Sequence, residues 1–136
     1  MERETSNLLF VYGTLMRGMD NPFSTQLSKA SEFLGSATAP GCLYDYQSEY
    51  PCAVTSLRPC DVIHGELYHL IDPEPLFLEL DPYEDCYPED EKRSLFTRRI
   101  VEITTHEQNQ VKAWMYFWNR PLDGLTLIEN GNFRSL

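Results

Sequence analysis

Leu8–Tyr12 (LLFVY) is an unbroken apolar, aromatic and β-branched run closed by Gly13, the pattern of a buried strand meeting a turn. Asp20-Asn21-Pro22 follows, an Asx cap with proline at the first helical position. Phe23, Leu27, Ala30 and Leu34 then recur at helical spacing, so the periodicity predicts a helix that runs on until Gly35 stops it. Residues 36–60 carry Pro40, Gly41, Pro51 and Pro59, which limits them to turns and short strands around Cys42–Tyr46 and Cys52–Thr55. Val62–Ile71 (VIHGELYHLI) reads as a longer strand. Its interruption at Gly65 marks a bulge or a close approach to the backbone. Pro73–Leu80 predicts a short helix and Asp85–Ser94 a charged loop. Phe96–Thr105 and Val111–Trp118, joined by the polar residues 106–110, predict a hairpin; Leu125–Phe133 has no clear period. Strands outnumber helices, and no repeat, linker or low-complexity stretch divides the chain. The expectation is one domain over residues 1–136, of α+β class with a mostly antiparallel sheet or barrel.

Composition changes this picture in three respects. The 136 residues carry a net charge of −10, and an acidic surface without a basic stripe argues against a nucleic-acid partner. The longest nearly unbroken apolar run, Ala113–Trp118, is far too short for a membrane-spanning helix, so no membrane partner is expected. Residues 1–9 lack the apolar core of a secretory signal. Cys42, Cys52, Cys60 and Cys86 show no CxxC spacing. Together these features predict reduced, unbridged thiols and a cytoplasmic location.

Several constellations could carry chemistry. Tyr12-Gly13-Thr14-Leu15 lies where a strand turns towards a helix, and successive backbone amides there can converge on a carboxylate or an oxyanion. The alternative is an ordinary connection in which Gly13 only relaxes the backbone. Neither a phosphate-loop nor a dinucleotide-binding glycine pattern is present. In Leu80-Asp81-Pro82-Tyr83-Glu84, two carboxylates three residues apart can share a helix face, and repulsion with burial would raise one of them towards neutrality. The same spacing fits a capping box in which Asp81 caps a helix starting at Pro82 and Glu84 folds back. His64-Gly65-Glu66 places a histidine and a carboxylate on one side of a strand, but no second metal-binding half accompanies it, and no metal is expected. There is no GxSxG nucleophile elbow. Trp114–Trp118 reads as alternating core and opposite-face residues rather than as a stacking box.

The order of these pieces is more specific than any one of them. FVYGTL (Phe10–Leu15) comes first, then Arg17-Gly18 with Asn21, then Tyr50-Pro51 with Ala53. Val62 with Gly65–Tyr68 and Leu70 follows, then Leu80-Asp81 with Tyr83-Glu84, and Arg98 with Val101 and Ile103. The set closely resembles the γ-glutamylcyclotransferase-like family, which includes the γ-glutamylamine cyclotransferases and the AIG2-like proteins. The resemblance implies a small mixed, mostly antiparallel β-barrel with a few short helices and a pocket at the barrel's edge. It implies that Tyr12, Gly13, Thr14 and Leu15 bind a γ-glutamyl group and that Glu84 is the catalytic acid/base. The reaction would cyclise a γ-glutamyl amine or amino acid to 5-oxoproline and free amine, with no metal or cofactor, in a monomer or weak dimer. A binding or stress-response domain that keeps the pocket without turnover, and a different γ-glutamyl acyltransferase, are the alternatives on the same fold. The chain departs from the family pattern in the ten residues Asp85–Ser94 and in Phe133, where many relatives have tryptophan.

Overall fold

The computed structural model describes residues 6–16, 19, 21–56 and 61–133. Arg17, Gly18, Asp20 and Cys60, all named above, lie outside the described residues. Among the described residues, eight strands, β1 (Leu8–Val11), β2 (Ser31–Pro40), β3 (Cys42–Tyr46), β4 (Tyr50–Val54), β5 (Val62–Leu70), β6 (Phe96–Thr105), β7 (Gln110–Trp118) and β8 (Thr126–Ile128), accompany two α-helices, α1 (Pro22–Lys29) and α2 (Pro73–Tyr83). A closed barrel has the strand order β1-β5-β2-β6-β7, and β4-β3-β8 form a separate three-stranded sheet. All barrel pairings are antiparallel except β1 with β7, which meet in parallel at Leu9 and Trp114. The mixed barrel predicted from sequence is the one observed.

β1 is apolar throughout because both of its faces are covered. Leu9 and Val11 join Leu27 of α1, Leu76, Phe77 and Leu80 of α2, and Tyr116 in one buried cluster. Phe10 and Tyr12 point the other way and pack with Ile63, Leu67, Ile103, Met115 and Phe117. Burying each such side chain fully contributes about 1.5–3 kcal/mol. Trp114–Trp118 divides between the two clusters as its alternation predicts: Met115 and Phe117 in one, Trp114, Tyr116 and Trp118 in or against the other. Gly65 is a point of close approach, since a Cβ there would lie 2.3 Å from the Val11 carbonyl oxygen and 2.7 Å from the Phe10 ring.

The first helix differs from expectation. It ends at Lys29, with Ala30 as its C-cap, and Ser31–Pro40 is a strand instead of a continuation to Leu34. Ala30 and Leu34 keep the helical phase in sequence, but β2 pairs with β5 from Ser31 opposite Leu70 to Pro40 opposite Val62. That ladder satisfies the backbone over ten residues, which outweighs a local periodicity of four apolar positions. Gly35, expected to stop a helix, adopts φ 118° where the β2–β5 register shifts. Cys42, Cys52 and Cys86 are free thiols, as anticipated for these three.

Candidate active site

The loop after β1 is shaped by three local contacts. Gly13 faces Pro51 of β4 so closely that a Cβ would sit 2.7 Å from the proline Cγ. The Met16 amide donates to the Gly13 carbonyl at 3.0 Å, closing the turn. Asn21, the N-cap of α1, accepts from the Ser24 amide at 2.8 Å and donates its own Nδ2 to the Thr14 carbonyl at 2.7 Å. The residue that starts the helix thus also fixes the loop. Among the described residues, the amides of Gly13, Thr14 and Leu15 donate to no protein acceptor.

Glu84 comes from the opposite direction, at the C-terminus of α2. The Cys86 amide donates to the Asp81 carbonyl at 2.8 Å and the Asp85 amide to the Pro82 carbonyl at 3.0 Å, with Asp85 left-handed at φ 53°. This double closure is a Schellman motif, and Glu84 is its C-cap residue. The capping-box expectation is therefore overturned: α2 starts nine residues earlier, at Pro73, and Asp81 and Pro82 lie inside it. Helix continuation through Pro82 leaves the Leu78 carbonyl without its usual amide donor. Both residues are exposed, so water can take its place.

Asp81 is 6% exposed and serves as a structural anchor. Arg98 of β6 donates to it in a fork, Nε to Oδ1 at 2.9 Å and Nη2 to Oδ2 at 3.0 Å, and the Tyr116 hydroxyl donates to Oδ1 at 2.6 Å. The guanidinium carbon lies 3.8 Å from the Phe77 ring centre and 4.3 Å from that of Trp114. Planar stacking together with a bidentate fork is a role lysine could not fill. This trio was not assigned from sequence, although Asp81 and Arg98 both stand in the ordered motif set.

The five residues singled out from sequence converge. Tyr12, Gly13, Thr14, Leu15 and Glu84 all border one cavity of about 30 Å³, together with Tyr50, Phe96 and Tyr116. It has room for about one or two waters or a carboxylate. Thr14, Tyr50, Glu84 and Phe96 also border an outer cleft of about 260 Å³, so the narrow cavity and this wider mouth share a wall. Thr14 Oγ1 and the Tyr83 hydroxyl are 2.6 Å apart, and Tyr83 stacks on Phe23 with ring centres 4.2 Å apart, which joins loop, α1 and α2 beside the mouth. Sequence reasoning did not assign Tyr50 or Phe96 to the site; the only signal was the Tyr50-Pro51 pair, whose proline packs on Gly13. His64 and Glu66 stand elsewhere. His64 is exposed, Glu66 accepts from the Tyr68 hydroxyl at 3.0 Å, and no metal-binding cluster occurs among the described residues.

Glu84 keeps some solvent contact as a residue, but its carboxyl is packed deep in the protein. Burial first, and the Asp81 charge second, push its pKa up to about 8. Burial, followed by the Glu84 charge, also holds the Tyr12 hydroxyl well above its ordinary value. That phenol stays protonated and donates to the Tyr116 carbonyl. Because Glu84 binds its proton more tightly in the fold than in the unfolded chain, its stabilising contribution is complete below pH 4.5 and is lost as pH rises through about 8. Glu84→Gln removes the charge, so thermal melts should find the variant more stable than the parent above neutral pH. Near pH 4.5 the two should melt together. A variant that is no more stable at pH 8 would contradict the assignment of this raised group.

Comparison with known proteins agrees with the fold. The family model "Gamma-glutamyl cyclotransferase, AIG2-like" matches residues 9–135. A γ-glutamylcyclotransferase family protein, YtfP, from Citrobacter rodentium is 32% identical over 125 residues, covering 92% of this chain and 93% of its own. The solution structure of YtfP from Escherichia coli is 31% identical, covers 92% of this chain and 94% of that one, and superposes with a TM-score of 0.61. YkqA from Bacillus subtilis shares the fold at a TM-score of 0.71 and 24% identity, with 96% of this chain spanning 40% of that longer protein. No helix among the described residues is long and apolar enough to cross a membrane.

Proposed function

The chain belongs to the γ-glutamyl cyclotransferase, AIG2-like family, and from that premise we propose that it cyclises a γ-glutamyl amine or γ-glutamyl amino acid to 5-oxoproline by acid/base catalysis at Glu84. The observation that carries this reading is the convergence of a raised, buried carboxyl and three loop amides with no protein acceptor on one cavity.

The substrate holds nucleophile and electrophile in one molecule, so the protein's main task is to fold it into attack geometry. Amides of Gly13–Leu15 receive negatively charged oxygen of the γ-glutamyl group, each well-aimed donor contributing on the order of 3 kcal/mol where charge develops. The Glu84 carboxylate takes a proton from the α-ammonium, and the freed amine attacks the γ-carbonyl carbon. A ring N–C bond forms, and Glu84 returns the proton to the departing nitrogen as the original amide C–N bond breaks. The carboxylate so regenerated takes the remaining extra proton from the ring nitrogen and passes it to the released amine. With a pKa of about 8, Glu84 lies much nearer to an α-ammonium than an ordinary carboxyl does, so the proton can move to it and back without a large uphill step. An unshifted carboxylate would be too weak a base for the first transfer.

A 5-oxoproline release assay over γ-glutamyl amines, γ-glutamyl amino acids and glutathione tests the reading. Release from at least one class, in step with free amine, is the expected result. Binding without release from any would overturn it in favour of a non-catalytic domain.

A further inference from the structure

The outer cleft has a chemical character of its own. Glu49 and Asp85 stand on its border beside Glu84, with the rings of Tyr50, Tyr83 and Phe96. Among the described residues, no lysine, arginine or histidine borders it. Glu49 ends the turn between β3 and β4, its amide donating to the Tyr46 carbonyl at 2.8 Å, and Gln47 and Ser48 take left-handed φ of 50° and 63°. Asp85 is the left-handed residue of the Schellman motif, so backbone geometry fixes its place at the rim. Tyr50 lies between them: it stacks on Tyr46 with ring centres 5.0 Å apart and meets the edge of Phe96 at 5.9 Å. Burial is the first cause that holds its hydroxyl up at about 12, and the Glu49 and Asp85 charges are among the lesser ones, so both carboxylates act on that ring.

Resting on the cyclisation proposed above, we infer that the outer cleft selects a leaving amine carrying a second, cationic group: the γ-glutamyl amide of a diamine or polyamine. The arrangement follows from the residues that the two cavities share. The γ-glutamyl end is drawn to the loop amides at the narrow cavity. The scissile nitrogen must lie at Glu84, which borders both spaces, and whatever the nitrogen bears extends into the outer cleft. An alkyl chain there lies along aromatic rings, and a distal ammonium meets their faces and two carboxylates, a combination that attracts cations. A leaving group with a free carboxylate meets the same carboxylates and is repelled.

Three amides of matched length make the test: those of 1,4-diaminobutane, n-pentylamine and 4-aminobutanoate, with distal charges of plus one, zero and minus one. The expected order of kcat/KM is cation, neutral, anion, with about tenfold or more between first and last, the reach of a few half-exposed charge contacts. The preference should shrink as salt is raised. A Glu49→Gln/Asp85→Asn double variant, in which asparagine still accepts the left-handed backbone, should lower the ratio of cationic to neutral turnover. Cyclisation of all three without charge preference, or a preference unchanged in the double variant, would overturn this inference and leave the cyclisation intact. No 5-oxoproline from any of them would overturn this inference, and the cyclisation falls with it if the γ-glutamyl amino acids and glutathione also release none.

Discussion

Glu84→Gln should lower turnover by about a hundredfold or more, the contribution that general acid–base catalysis usually makes. Glutamine has nearly the shape of glutamate and keeps an oxygen in the cavity, but it cannot take the ammonium proton. The backbone bonds that hold position 84 in the Schellman motif do not involve its side chain, so the helix end should persist. Substrate binding should survive with it, so that the loss falls on kcat more than on KM. In the parent, kcat/KM should climb as pH rises towards about 8 and Glu84 ionises, and that limb should be missing from the variant. Turnover within a few-fold of the parent, on a substrate the parent cyclises, would remove Glu84 from the chemistry.

Asp81→Asn should act mainly on stability. Asparagine can still accept one bond from Arg98 or Tyr116, but it leaves the guanidinium, 14% exposed between Phe77 and Trp114, without a counter-charge. Breaking one side of a buried pair costs about 3–5 kcal/mol, and the retained acceptor puts this variant near the lower end. For a chain of this length that is a fall in Tm of roughly 10 °C. Replacing both partners, Asp81→Leu with Arg98→Met, should recover much of the loss because no charge is then stranded. A melting temperature unchanged in Asp81→Asn would mean that the fork has no structural role. Since the Asp81 charge is the second cause of the raised Glu84 value, the alkaline limb of the pH profile should also move down, though only in part, burial being the larger cause.

What was legible in the sequence follows from where each signal is stored. β1 and the β6–β7 hairpin are written locally, in apolar runs and a polar turn, and they fold where expected. The site's two halves were legible as an ordered set of short motifs, so motif order alone links Tyr12–Leu15 with Glu84, although they lie far apart in the chain. The end of α1 was not legible, because β2 is defined by its ladder to β5, a partner that comes only after β3 and β4. Asp81 misled for a related reason. Asp-Pro reads as a helix start, and only the exposure of Leu78 and Pro82 shows why the helix runs through it. The outer cleft was the least visible, since Glu49, Tyr50, Asp85 and Phe96 come from three separate segments and share no local pattern.

The pairing of β1 has a kinetic consequence. Val11 lies opposite Glu66 and Leu9 opposite Trp114, so β1 has no ladder partner close to it in sequence. Such distant contacts are the ones whose loop-closure cost makes chains fold slowly. β6 and β7, by contrast, can zip up from their own turn. The segment that leads into Tyr12–Leu15 is thus held on one edge by β5 and on the other by β7, and the second of these contacts is available only once the rest of the barrel chain has been made. During synthesis from the N-terminus, this strand must wait for β7 before its second edge is covered, and the acid/base residue on α2 is already present by then. Competence for chemistry and closure of the barrel should therefore arrive in a single kinetic phase.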